Sequence, residues 1–180
     1  MADIFDRQKR REIMQAIRSK DTRPEWLVRR CLHAHGFRYR LHDRRLPGRP
    51  DLVLRKYGLV ILVQGCFWHG HEPCRIAKLP KSNRDWWEEK IQKNRERDQR
   101  TIFLLETLGW TVWTIYECEL RTLTDRAQTL GRLLRFLHTQ NSVSYPGYPD
   151  SPARYELVEE ELHTYGKEPI IPRQETDRLI

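Results

Sequence analysis

The amino-acid sequence predicts a single α/β domain in which helices flank a mixed β-sheet. Two observations support this prediction: short apolar or β-branched stretches of strand length, and longer amphipathic stretches with helical periodicity that alternate with them. Their order is helix, strand, strand, strand, helix, strand, helix. The chain has 180 residues, which is enough to bury a core without disulfide bridges.

Two helices are predicted before the first strand. Residues 5–18 read as a short basic helix with a thin apolar stripe. The stripe consists of Ile13, Met14 and Ile17. A second helix begins after Thr22 in the T-R-P-E segment, where Thr22 is a capping residue and Glu25, three positions later, completes a capping box. Gly36 ends this helix.

Four strands are predicted from the hydrophobic pattern. Residues 37–42 alternate apolar and polar side chains, as a half-buried strand does. Residues 51–54 and 59–63 read as neighbouring buried strands, and the second is apolar throughout, which predicts that both of its faces are covered. Residues 110–117 form a fourth strand, rich in aromatic and β-branched side chains. Asp51 therefore stands at the head of a strand.

Two further helices complete the domain, from about residue 83 to 108 and from about 124 to 138. Residues 141–180 differ in composition, since half of the ten prolines and a run of acidic residues fall there. We therefore divide the chain into a domain of residues 1–140 and an acidic, proline-rich extension of residues 141–180, which we expect to be irregular.

Charge is distributed unevenly between these two parts. Residues 141–180 carry four Lys/Arg and eight Asp/Glu, so the net charge of +8 implies about +12 on residues 1–140. A polyanionic partner is indicated, and nucleic acid is the first candidate because clustered cations release phosphate counterions on binding. A basic surface that is merely solvated is an equally good interpretation of the composition alone.

The sequence also indicates a cellular compartment. No apolar stretch approaches the roughly 20 residues that a membrane-spanning helix needs, and the amino terminus is charged where a signal peptide is apolar. We expect a cytoplasmic protein without membrane contacts. Thiols stay reduced there, which favours metal ligands or buried thiols over disulfides for the four cysteines.

The segment Q-G-C-F-W-H-G-H-E-P-C, residues 64–74, combines cysteines and histidines at the spacing of metal ligands. A structural zinc site takes four such ligands, often two close in sequence and the rest from another element. Cys66, Cys74, one of His69 and His71, and a distant Cys118 would complete a site, which leaves one histidine spare. Spacing does not choose between the two histidines, and buried thiols with surface histidines remain the simpler alternative.

Four motifs, L-P-G-R-P-D, G-C-F-W-H-G-H, E-K-I-Q-K-N and L-G-W-T-V-W-T-I-Y-E-C, occur in this order. With these motifs the chain resembles the very short patch repair (Vsr-type) DNA mismatch endonucleases, from its first residues to about residue 138. The resemblance implies a restriction-endonuclease-like fold for residues 1–140, with a structural zinc site. The acidic extension has no counterpart in it.

The resemblance also implies catalytic residues. Asp51 matches the family's magnesium-binding carboxylate and His69 its catalytic histidine, a general base. Glu25 matches a glutamate beside the active site, although a capping role alone would explain it. Asp98 matches a polar residue near the same centre, although an exposed charged helix face is a nearly equal alternative.

By the same resemblance, the structural zinc ligands are Cys66, His71, Cys74 and Cys118. Exchange of the roles of His69 and His71 stays open. This chain departs from the family pattern by having Val63 and Gln64 before G-C, and one extra residue before Cys74. The Val63 backbone carbonyl can still ligate Mg²⁺, and Gln64 can hydrogen-bond water near the metal although it does not titrate.

Aromatic side chains are the last group that the resemblance assigns. The family inserts aromatic residues between base pairs beside the mismatch, and the matching positions are Phe67, Trp68 and Trp87. Burial in a core is the ordinary alternative for such residues. Base unstacking costs least where pairing is already faulty, so insertion can select a mismatch.

Taken with the residues, the resemblance predicts a Mg²⁺-dependent endonuclease with a structural Zn²⁺. It would nick one strand of duplex DNA beside a T·G mismatch, which arises by deamination of 5-methylcytosine. It would act as a monomer at the bacterial nucleoid, in a cell with a cytosine-5 DNA methyltransferase, and a repair polymerase and ligase would follow. The alternatives are a related nuclease with another DNA specificity and a catalytically inert zinc-stabilised DNA-binding module.

Overall fold

The structure, a computed structural model, describes residues 7–16 and 20–140 of the chain. These residues form the α-helices α1 (Arg7–Ala16), α2 (Arg23–Ala34), α3 (Arg84–Thr107) and α4 (Leu123–Thr139), and the strands β1 (Arg40–Leu41), β2 (Leu52–Leu54), β3 (Leu59–Gln64) and β4 (Thr111–Tyr116). Short 3-10 helices span Arg55–Tyr57, Arg75–Ala77 and Glu117–Leu120. The predicted irregular extension and the predicted apolar side chains of α1 lie outside the described residues.

The four strands form one mixed sheet in the order β1-β2-β3-β4. Strands β1, β2 and β3 are antiparallel neighbours, whereas β3 and β4 are parallel, because α3 carries the chain back across the sheet between them. The predicted mixed α/β architecture is therefore confirmed. The parallel pairing also places the residues that follow β3 beside those that follow β4.

Helices cover both faces of the sheet. On one face, side chains of β2, β3 and β4 pack against Val28 and Leu32 of α2 and Leu133 and Leu137 of α4. On the other face, β2 and β3 pack against Leu105 of α3. The prediction that β3 is covered on both faces is confirmed. Among the described residues, no helix has the length and apolarity needed to cross a membrane.

The strand predicted over residues 37–42 is shortened to Arg40–Leu41, and both of these residues are exposed. Phe37 is instead drawn back to α2, since its N–H donates to the Leu32 carbonyl at 2.9 Å and its ring is buried. At the other end, His42 adopts a left-handed backbone with φ of 48°. A left-handed residue breaks the extended conformation, so two residues alone pair with β2.

Candidate active site and metal centre

Asp51 directly precedes β2, and the turn that leads to it packs closely against α3. Gly48 in this turn has φ of 66°, and a Cβ atom there would lie 2.2 Å from Cγ2 of Thr101. Glycine is needed at this position for both the left-handed backbone and the close approach. The turn that leads to Asp51 is thus held by its contact with α3.

The Asp51 side chain is 22% exposed and is held by one backbone donor. Its Oδ2 accepts the N–H of Val63 in β3 at 2.7 Å. Burial raises the pKa of Asp51 to about 6, and the nearby charge of Glu25 adds to the increase, while the Val63 hydrogen bond opposes it. A cation that binds beside such a carboxylate stabilises its ionised form.

Glu25 takes part in the capping box and also lies close enough to Asp51 for its charge to affect that carboxylate. It closes the predicted capping box, since Thr22 N–H donates to Glu25 Oε1 at 3.2 Å and the Thr22 side chain caps the helix in return. It is also buried, and its charge acts on Asp51. The amino terminus of α2 therefore faces the site around Asp51.

The buried side chain of Arg29 contacts three polar residues near the amino terminus of α2. It forms ion pairs with Asp21 and Glu25, and its Nη2 lies 3.1 Å from Nε2 of His42. The hydrogen bond from Arg29 lowers the pKa of Asp21. One ligand atom each from Asp21, Glu25 and His42 lies within 4.8 Å of the others, and the Arg29 guanidinium offsets one of the two carboxylate charges in this cluster.

A second cluster joins three cysteines and one histidine. Sγ atoms of Cys66, Cys74 and Cys118 and a ring nitrogen of His71 all lie within 4.8 Å of one another. Cys66 follows β3 and Cys118 follows β4, so the parallel pairing of these strands brings them together. The His71 ring stacks on Tyr116 with ring centroids 3.7 Å apart, which fixes its orientation. The three thiols and one imidazole, and their closeness, fit the donor set of a structural zinc ion.

The thiols of this cluster have perturbed acidities. Burial raises the pKa of Cys66 to about 12 and also raises the pKa of Cys118. The backbone N–H of Ile76 lowers the pKa of Cys74. Crowded thiols of this kind cannot all ionise without a compensating cation, and a zinc ion would supply that charge.

His69 is not a member of this cluster. Its Nδ1 lies 2.5 Å from Oδ2 of Asp98 on α3, and its backbone N–H donates to the Gly65 carbonyl at 3.2 Å. Asn94, also on α3, donates to the Trp68 carbonyl at 2.9 Å. Of the two histidines left open by spacing, the structure places His71 with the thiols and His69 with a carboxylate.

The aromatic residues of the segment pack against the start of α3. Phe67 lies 5.1 Å from both Trp68 and Trp87, measured between ring centroids, and Trp87 lies 4.7 Å from Trp86. The first three are half-buried, whereas Trp86 is 56% exposed. The family resemblance selected Phe67, Trp68 and Trp87. It did not select Trp86, although Trp86 is adjacent to Trp87 in the sequence.

Comparisons with known proteins identify the family of this chain. A family model described as "DNA mismatch endonuclease Vsr" matches residues 2–75. The chain is 51% identical over 123 residues to the type II nicking enzyme V.XorIIP of Xanthomonas oryzae pv. oryzae, an alignment that covers 68% of this chain and 90% of that protein. The chain belongs to the Vsr family.

Two further relatives are similar over comparable lengths. The type II nicking enzyme V.NmeAIP of Neisseria meningitidis is 48% identical over 75% of this chain and 96% of its own length. The DNA mismatch endonuclease Vsr of Escherichia coli is 45% identical over 72% of this chain and 84% of its own length. The similarity identifies this Vsr-family chain as a Vsr-like DNA nicking endonuclease.

Three polar residues of the site were missed by the sequence argument: Asp21, Arg29 and His42. Arg29 carried a signal, because it lies four positions after Glu25 on the same helix and can pair with it. His42 carried none, since its left-handed turn and its approach to Asp51 depend on the fold. Gln64, which the sequence argument did name, is buried at the end of β3.

Proposed function

We propose that this Vsr-family chain is a Mg²⁺-dependent endonuclease that nicks one strand of duplex DNA beside a T·G mismatch in very short patch repair. The observation that carries the proposal is the presence of Asp51 and of the His69–Asp98 pair in a chain whose Escherichia coli relative is named a DNA mismatch endonuclease. Residues 1–140 would form a restriction-endonuclease-like domain, and residues 141–180 a separate irregular extension.

Magnesium would be held by Asp51 and by the backbone carbonyl of Val63. Oδ2 of Asp51 already accepts the Val63 N–H, which leaves Oδ1 for a cation. The Val63 carbonyl would be the second ligand, and the hydrogen bond from the N–H of the same residue to Asp51 supports this by placing the Val63 backbone beside the carboxylate. When bound, Mg²⁺ would polarise the phosphodiester and neutralise charge on the leaving oxygen.

His69 would act as the general base. Hydrogen bonding of Nδ1 to Asp98 fixes the ring orientation and leaves Nε2 as the nitrogen that accepts a proton. As the attacking water bonds to phosphorus and the P–O bond to the departing strand end breaks, its proton passes to Nε2. Glu25 and Gln64 would hydrogen-bond water near the cation. Zinc held by Cys66, His71, Cys74 and Cys118 would keep the His69 segment in place.

Mismatch selection would come from the aromatic cluster. Opening a base step costs a few kcal/mol, whereas stacking a base on an aromatic ring returns about 1 to 3 kcal/mol. The difference favours insertion of Phe67, Trp68 and Trp87 where pairing is already weak. The positive charge of residues 1–140 would supply affinity for the phosphates.

The biological setting follows from the substrate. Deamination of 5-methylcytosine produces T·G mismatches, so the enzyme would act in a bacterial cytoplasm, at the nucleoid, beside a cytosine-5 DNA methyltransferase. A repair polymerase and a ligase would then replace and seal the nicked strand. One asymmetric mismatch needs one active site, which favours a monomer.

The test is strand nicking of end-labelled duplexes that differ only in one T·G or C·G pair within a methyltransferase-type site. We expect wild-type protein with Mg²⁺ to nick the T·G duplex alone, and Asp51→Ala to nick neither while it still binds DNA. Equal nicking of both duplexes would instead indicate a related nuclease. Binding without nicking, in wild type and across varied flanking sequences, would indicate a DNA-binding module.

A further inference from the structure

His42 lies between the two acidic parts of the candidate active site. Its Nδ1 is 3.7 Å from Oδ1 of Asp51, and its Nε2 is 3.8 Å from Oε2 of Glu25 and 4.0 Å from Oδ1 of Asp21. The ring is largely covered, with 21% of the side chain exposed. The imidazole therefore spans the gap between the cluster on α2 and the carboxylate at the head of β2.

The hydrogen-bond chemistry of Arg29 fixes the direction of this ring. Nη2 of Arg29 lies 3.1 Å from Nε2 of His42, and a guanidinium has donors but no acceptor. Nε2 must therefore accept, which places the ring hydrogen on Nδ1, the nitrogen that lies 3.7 Å from Oδ1 of Asp51. Arg29 is itself buried and paired with Asp21 and Glu25, so it is a firm anchor for the ring.

The backbone of His42 also serves this orientation. A left-handed conformation is strained for a residue other than glycine, and it persists where the surrounding structure imposes it. Here φ is 48°, and the His42 N–H lies 3.4 Å from the Asp51 carbonyl to which it donates. The turn thus connects His42 to Asp51 through both main chain and side chain.

From this geometry we infer that His42 is a positioning residue for the metal carboxylate, held by Arg29 and directed at Oδ1 of Asp51. The inference rests on the proposed role of Asp51 as a Mg²⁺ ligand. Val63 fixes Oδ2, and His42 limits rotation of the other oxygen, so the carboxylate meets a divalent cation already oriented. Groups that orient a metal ligand contribute about ten- to a hundredfold to metal affinity or activity.

Two substitutions distinguish the effect of the ring N–H donor from the effect of the left-handed backbone. His42→Gly accepts the left-handed turn and removes the imidazole, whereas His42→Asn also accepts that turn and keeps an N–H donor near the position of Nδ1. Asn83→Gly is the matched control, because Asn83 is another left-handed residue, with φ of 53°, and its side chain makes no capping hydrogen bond. Melting temperatures of all variants verify folding.

The measurement is Mn²⁺ binding to the zinc-loaded full-length protein, followed by the electron paramagnetic resonance signal of free Mn²⁺. Manganese does not compete for thiolate sites against zinc. We expect His42→Gly to raise the dissociation constant about tenfold or more, and His42→Asn and Asn83→Gly to stay near wild type. Nicking by His42→Gly should need proportionally more Mg²⁺ and recover its rate at saturation.

The outcomes separate this inference from the proposed function. If Asp51→Ala abolishes Mn²⁺ binding while His42→Gly leaves it unchanged, the positioning role is wrong and the metal site stands. If Asp51→Ala binds Mn²⁺ like wild type, the metal site itself is wrong. An equal loss in His42→Gly and His42→Asn would overturn the role of the Nδ1 donor.

Discussion

Nδ1 of His69 and Oδ2 of Asp98 lie 2.5 Å apart, although 29 positions separate the two residues in the chain. The contact links an irregular segment to the middle of α3. A carboxylate on Nδ1 fixes both the tautomer and the orientation of an imidazole, so Asp98 decides which nitrogen of His69 is available for chemistry.

Asp98→Asn should therefore slow nicking without unfolding the protein. The amide oxygen still accepts a hydrogen bond from Nδ1, but it lacks the charge that stabilises the imidazolium formed when His69 takes a proton. We expect the single-turnover nicking rate to fall at least about tenfold, with a larger loss of about a hundredfold or more for His69→Ala. Asp85→Asn, at the exposed start of the same helix, should keep the wild-type rate; an unchanged rate in Asp98→Asn would contradict the pairing.

Asp51 should destabilise the Mg²⁺-free protein at neutral pH. Its pKa is raised from 3.8 to about 6 in the folded state, so the folded protein holds a proton that the unfolded chain releases. Stability linked to this group is therefore present at low pH and lost as pH rises toward 6. At pH 7, Asp51→Asn should be more stable than wild type by about 1 to 3 kcal/mol in free energy of unfolding.

Urea denaturation of both proteins, side by side at each pH between 3.5 and 8, measures this difference, and the pH range brackets the two pKa values of about 3.8 and 6. The gap should shrink below pH 6 and close near pH 4. Mg²⁺ should stabilise wild type more than Asp51→Asn. If wild type proves more stable than Asp51→Asn at pH 7 without Mg²⁺, the raised pKa of Asp51 is wrong.

The cysteine cluster should bind one zinc ion that supports the fold. Cys118→Ala removes one of four donors and should lose most of the bound zinc, because three donors hold the ion far less tightly and the site couples to folding. Zinc content by mass spectrometry and the melting temperature should fall together. Cys31→Ala is the matched control, since Cys31 lies on α2 outside the cluster; equal zinc loss in both variants would argue against the site.

Gly48 should be far less tolerant of alanine than Gly36, although both have positive φ. Nothing lies within 4 Å of a Cβ atom at Gly36, so Gly36→Ala should cost about 1 to 2 kcal/mol from backbone strain alone. Gly48→Ala adds a clash with Thr101 and should cost about 3 kcal/mol or more. Its nicking rate should fall too, because the same turn places Asp51.

The double variant Gly48→Ala/Thr101→Ser identifies the cause. Serine lacks the Cγ2 atom that would lie 2.2 Å from the new Cβ. Denaturation should show that the double variant regains part of the stability lost by Gly48→Ala. Absence of any recovery would place the cost in the backbone of the turn rather than in its contact with α3.

Local patterns account for much of the architecture. The capping box of Thr22 and Glu25 and the apolar runs of β2 and β3 are properties of short segments, and the structure has them where the sequence predicted them. The strand predicted from residues 37–42 was too long, because alternation reports which side chains are buried but not which backbone groups pair. Phe37 is buried, as the alternation predicts, but its backbone N–H donates to Leu32 of α2 rather than to a strand.

The sequence also predicted chemistry within one segment. The cysteines and histidines of residues 64–74 indicated a metal site, and the family resemblance assigned different roles to the two histidines. The geometry of the segment depended on distant partners, since Cys118 approaches through strand pairing and Asp98 through the packing of α3. His42 depended on the fold entirely. Residue type and spacing encode local conformation. Contacts between side chains that are remote in the sequence arise when hydrophobic packing of the sheet and helices brings them together. The tertiary structure alone therefore decided the placement of Arg29, His42 and Asp51.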